Sequence, residues 1–163
     1  VSSENPYAPP RAAVVDVASP GPAPGLWNPN AAASWSLIFS PVFGAILHMK
    51  NWQAMGDERR AATSRKWAVA SAAFFVVVML VGIAWPENKA LDGLSRLGGL
   101  ILLLAWYYGI GKSQNALVLA RYGKDYPRKG WAKPLGAALG LLIAFILAGV
   151  VVGFLVGSLA GTA

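Results

Sequence analysis

His48 is the only histidine in the chain, and cysteine is absent. One imidazole cannot assemble a metal centre or complete a catalytic triad. Alone it could serve as one axial ligand to a haem or chlorin, or hydrogen-bond a headgroup or carbonyl near a membrane surface. The second role is the ordinary one, so neither metal nor cofactor is expected. Without cysteine, thiolate metal sites, iron–sulfur clusters, disulfides and cysteine nucleophiles are excluded. The seven carboxylates, Glu4, Asp16, Asp57, Glu58, Glu87, Asp92 and Asp125, all fall outside the apolar stretches, and no Lys or Arg sits at the centre of one. Ion- and proton-coupled carriers are built around an ionisable group inside the membrane, so the pattern argues against a coupled carrier. No catalytic residues emerge, and the chain is not expected to be an enzyme. Asp92 and Arg96 stand four apart, the spacing of a pair on one helix face. Asp57-Glu58-Arg59-Arg60 reads as a solvated loop or a short surface helix.

The sharpest spacing belongs to glycine. Gly149, Gly153, Gly157 and Gly161 recur every four residues, and Gly136 and Gly140 form an earlier pair of the same kind. On a helix this spacing makes a shallow stripe, a glycine zipper that lets another backbone approach closely. The stripe is expected to pack against another helix of the same chain, with self-association or docking on a different membrane protein as alternatives.

The elements that carry these residues are long apolar runs. The fold class is all-α, an integral membrane protein of about four transmembrane helices, with spans near 31–49, 67–85, 94–110 and 134–160, each long enough for a bilayer core. The first begins after Asn28-Pro29-Asn30, a turn and helix cap, and carries Pro41 at its middle, so a kink is expected. The alternative is three spans plus one re-entrant or interfacial helix. The second span holds no ionisable residue and ends at Pro86. The third continues as a polar helix through Gln114, Asn115 and Arg121 that is expected to emerge into water. The fourth is the longest and must tilt or protrude.

Tryptophan supports these limits, because the indole ring favours the membrane interface. Trp35 and Trp52 bracket the first span and Trp67 and Trp85 the second, each pair on the order of 26 Å apart along a helix. Trp106 lies near one end of the third span and Trp131 precedes the fourth, completing the expected interface anchors. Of the fourteen Lys and Arg residues, five lie in 50–66 and six in 112–133. Positive flanks stay on the cytoplasmic side, so these two basic loops are expected there. With four crossings both termini and the loop after Pro86 face away from the cytoplasm. With three, the N-terminal arm returns to it.

Over its 163 residues the chain is 56% hydrophobic and only 13% charged, about half the charge of an ordinary soluble domain. Such a chain cannot cover its own apolar surface with polar groups, and no large soluble second domain fits between the apolar runs. The net charge of +7 comes from residues clustered beside apolar spans, without the aromatic-interleaved basic face of a nucleic-acid module. No nucleic-acid partner is expected. The basic loops should instead attract anionic lipid headgroups.

Residues 1–30 hold seven of the eleven prolines and read as an extended or irregular arm preceding a transmembrane helical domain at 31–163. No basic start, apolar run and cleavage site of a signal peptide is expected there. The opening Asn5-Pro6-Tyr7-Ala8-Pro9-Pro10 and the segment from Trp27 through Ala45, Trp-Asn-Pro-Asn-Ala-Ala-Ala-Ser-Trp-Ser-Leu-Ile-Phe-Ser-Pro-Val-Phe-Gly-Ala, followed by Asn51-Trp52 and Gly56, resemble small uncharacterised bacterial polytopic membrane proteins. The resemblance covers about the first third of the chain, implies a bacterial inner membrane and brings no activity with it. An RDD-type membrane family shares such tails, but its Arg-Asp-Asp signature is missing.

These features converge on a non-enzymatic membrane protein that acts through helix–helix interaction, an accessory or assembly subunit of a larger membrane complex, or an immunity or shielding protein. The expected partners are membrane lipids and other membrane protein subunits. The alternative is a small channel or carrier formed by self-association along the fourth span.

Overall fold

A computed structural model of the chain describes residues 21–160, which are helical apart from short connections. Helix α1 runs Pro29–Phe39, α2 Pro41–Ala54, α3 Glu58–Ala84 and α4 Lys89–Trp106; a π-helical turn, Tyr107–Gly111, joins α4 to α5 at Lys112–Tyr122, and α6 runs Ala132–Ala160. Side-chain caps set three of the starts. Asn28 Oδ1 accepts from the amides of Asn30 and Ala31, Asp57 from Arg60 and Asn88 from Leu91. Asp92 and Arg96 form the expected surface pair, at 3.0 Å.

The region expected to be one kinked span is two helices. The chain breaks at Ser40, whose φ of 84° and ψ of 163° place a non-glycine residue in backbone territory that favours glycine. Proline at 41 has no amide to continue the α1 ladder and starts α2 instead. The two helices then fold back on each other: His48 and Asn51, late in α2, bond to Pro29 and Trp27 at the start of α1. Eleven and fourteen residues make helices of about 16 and 21 Å, too short to cross a core of about 30 Å. The unit is therefore a hairpin whose two ends lie together. Among the described residues three helices remain that are long and apolar enough to cross a membrane: Glu58–Ala84, the continuous Lys89–Tyr122, and Ala132–Leu159.

The core sits at the hairpin end of the molecule. The α1–α2 contact is tight because Gly44 has no side chain; a Cβ there would overlap Ser36 Oγ on α1 and the Trp106 ring of α4. Helix α3 offers α2 a face of small buried residues, Ala61, Ser64, Ala68 and Ser71, at helical spacing. Trp106 is fully buried among Ala33, Ala45 and Ala68. This corrects its expected place as an interface anchor: the ring that ends the third apolar run is the largest fully buried side chain among the described residues. Beyond this core the three long helices touch sparsely. Phe74 of α3 lies on Gly98 of α4, and Met79 and Ile83 of α3 approach Gly149 and Gly153 of α6.

Candidate functional site

The polar residues that the fold gathers lie in one buried cluster where both ends of the hairpin meet α5. Asn51 clamps the backbone of Trp27: its Oδ1 accepts from the Trp27 amide at 3.0 Å, and its Nδ2 donates to the Trp27 carbonyl at 2.8 Å. The remaining Nδ2 hydrogen goes to Gln114 Oε1 at 3.1 Å, and Gln114 Nε2 donates to the His48 carbonyl at 2.9 Å. His48 Nε2 donates to the Pro29 carbonyl at 3.2 Å, which fixes the tautomer, because a carbonyl only accepts. His48, Asn51 and Gln114 are all fully buried. Three segments far apart in sequence are thus tied by five hydrogen bonds whose donors and acceptors would be costly to bury unpaired.

The π-helical turn brings Gln114 into the cluster. The Lys112 amide reaches back five residues to the Tyr107 carbonyl. The extra residue in that turn keeps Trp106, Gly111, Gln114 and Val118 on the buried side. Gln114 was expected in water, and its burial corrects that expectation. A lone glutamine in a polar helical stretch carries no periodic apolar signal. Asn51 likewise carries no signal of burial in the sequence. The pointer available for both was their position beside the apolar runs, between basic residues.

The cluster lies at the basic end of the molecule, level with Lys112 and outside the apolar stretches of the long helices. Burial pushes the His48 imidazole down from its usual 6.5 to about 4, against the opposing effect of the Pro29 carbonyl bond. The ring is therefore neutral near pH 7. Its Nδ1 has no hydrogen-bond partner and is walled off from the surface, as is Nε1 of Trp106, whose ring centroid lies 5.2 Å away. Axial ligation of a haem or chlorin needs a ring nitrogen facing open space. Here one nitrogen is committed to Pro29 and the other faces protein. Among the described residues no three His, Asp or Glu side chains come together as a metal site.

Around this cluster the two basic segments and the chain before α1 converge. Leu26 pairs with the second basic segment through Leu26 N–H to Pro127 O at 3.0 Å and Lys129 N–H to Leu26 O at 2.9 Å. It is wholly buried against Val118 and Tyr126. Trp27 Nε1 donates to Gly130 O, and Lys129 stands over the Trp27 ring. From the first basic segment Arg60 covers Trp52, which is itself buried. Residues 21–28 are thus docked at the basic end, whereas residues 1–20 of the arm lie outside the described residues. The other tryptophans divide. Trp35 and Trp131 are partly buried between hairpin and α6, Trp67 packs against the cluster that holds Trp106, and Trp85 is exposed at the far end of α3.

The glycine stripe is mostly open. Gly149 and Gly153 face α3, where a Cβ added to them would stand 3.3 and 4.0 Å from side-chain atoms of Met79 and Ile83, while a Cβ at Gly136, Gly140 or Gly157 would meet nothing within 4 Å. Gly161 lies outside the described residues. The glycine that packing requires is Gly44, which belongs to no repeat. Comparison of the chain with protein-family models, with curated proteins and with solved structures gives no match.

Proposed function

We propose that the chain is an integral protein of the bacterial inner membrane, without enzymatic activity, that works through helix–helix contact as an accessory or assembly subunit of a larger membrane complex. The observation that carries this reading is α6, whose apolar side chains are exposed around the helix, up to 74% at Phe154. A helix apolar all round belongs in lipid or against other apolar helices. Its open glycines at 136, 140 and 157 leave a surface that a foreign helix could approach at backbone distance. A shielding or immunity protein would use the same surface. The basic end, where residues 21–28 and both basic segments meet, faces the cytoplasm by the positive-inside rule. The hairpin then dips into the bilayer and returns, and three helices cross.

The test is gentle detergent extraction followed by mass measurement of the intact particle, for the wild type and for Gly140→Leu. A heteromeric wild-type particle is expected, and the variant should lose the partner while staying folded, because a leucine at the crossing point separates backbones held by van der Waals packing. A particle containing this chain alone, unchanged by the substitution, would refute the accessory role. The break at Ser40 favours a second reading, a small channel or carrier formed by self-association, since non-helical backbone at membrane depth is tolerated where protein buries it or it lines a cavity. That reading requires a homo-oligomer and solute flux across liposomes containing the purified chain.

A further inference from the structure

The hairpin, α3 and α6 enclose a groove of about 670 Å³, in the size range of ligand sites. Its lining is apolar along most of its length, with Val42, Ile46, Phe75, Leu141 and Phe145 among the walls, and its one charged lining residue is Lys50. Helices α2 and α6 run in opposite senses, so Lys50 and Pro134 mark the basic end of the groove, and Ser40 and Phe145 the deep end. Lys133, next to Pro134, adds a second positive charge at that end.

We propose that this groove binds one anionic phospholipid of the cytoplasmic leaflet, its headgroup at Lys50 and its acyl chains running toward Ser40. The proposal rests on the membrane reading above. Length supports it: from Ser40 to Lys50 is about 15 Å of helix, half of a hydrocarbon core of about 30 Å and so the depth of one leaflet. Charge decides the headgroup, since a lysine at the rim of an apolar slot matches an amphiphile with a negative head.

The full chain, stripped of lipid in mild detergent, is titrated with phosphatidylglycerol or phosphatidylcholine and read by native mass spectrometry. One tightly held phosphatidylglycerol is expected, preferred over phosphatidylcholine. Lys50→Gln should lower that preference about fivefold, the effect of one basic residue beside an anionic group. Ala137→Phe, which fills the groove from an exposed position of α6, should abolish the bound lipid with the thermal midpoint unchanged. Equal occupancy by both lipids, retention of the lipid in Ala137→Phe, or a two-chain particle that Ala137→Phe splits would each overturn the site. Alkaline washing of the source membranes keeps the two readings apart. Release of the chain defeats membrane insertion and the site with it, whereas a chain that stays in the membrane yet shows no lipid preference defeats the site alone.

Discussion

Replacing Asn51 by alanine tests whether the polar cluster holds the hairpin closed. The substitution removes three hydrogen bonds, two to the Trp27 backbone and one to Gln114 Oε1. A net contribution of about 1 kcal/mol each gives about 3 kcal/mol, and leaving buried partners unpaired raises the loss to about 3–5 kcal/mol. Asn115→Ala is the control, because this asparagine is one position from Gln114 but outside the network and only partly buried, and should cost about 0.5 kcal/mol or less. Thermal unfolding in detergent, followed by tryptophan fluorescence, reads both. For a chain of this length the difference corresponds to at least about 5 °C in Tm. If Asn51→Ala and Asn115→Ala unfold within about 2 °C of each other, the Asn51 clamp contributes nothing to holding the hairpin closed.

Topology is checked by cysteines at Asn30, Gln53 and Asn88, all exposed positions: a membrane-impermeant reagent should reach Asn30 and Gln53 from one side and Asn88 from the other, whereas a crossing first span would pair Asn30 with Asn88. Gly44→Ala should destabilise by about 1–3 kcal/mol or more, because the new methyl displaces Ser36 and Trp106, while Gly157→Ala should be close to neutral in the isolated chain; denaturation of both variants compares them directly. Acid should weaken the fold through His48. Its folded pKa of about 4 lies below the ordinary 6.5, so stability is full above about pH 6.5 and falls by about 3 kcal/mol as pH drops toward 4. Unfolding midpoints at pH 7.5 and pH 5 should therefore differ, and His48→Gln should remove most of that difference.

The sequence determined the features that depend on residues close together in the chain. Long uncharged runs fix the three long helices, since an apolar stretch cannot be covered by anything else in so short a protein. The cap at Asn28, the Asp92–Arg96 pair and the clustering of basic residues beside the apolar runs follow from local spacing and charge. Tertiary structure decided whether residues 31–49 form one helix or two. Locally, Ser40-Pro41 admits either a kink or a break, and the apolar run around it is long enough for a span. The choice falls to contacts across sequence: Gly44 letting α2 close on Ser36 and Trp106, and Asn51, His48 and Gln114 tying both ends of the hairpin to α5. The same contacts drew Trp106 and Gln114 out of the positions their types suggest. A tryptophan beside an apolar run looks the same in sequence whether it meets lipid headgroups or a glycine on another helix, and a glutamine whether it meets water or an asparagine sixty-three residues away. Only the packed chain supplies the partner, and burial next to that partner sets the energy.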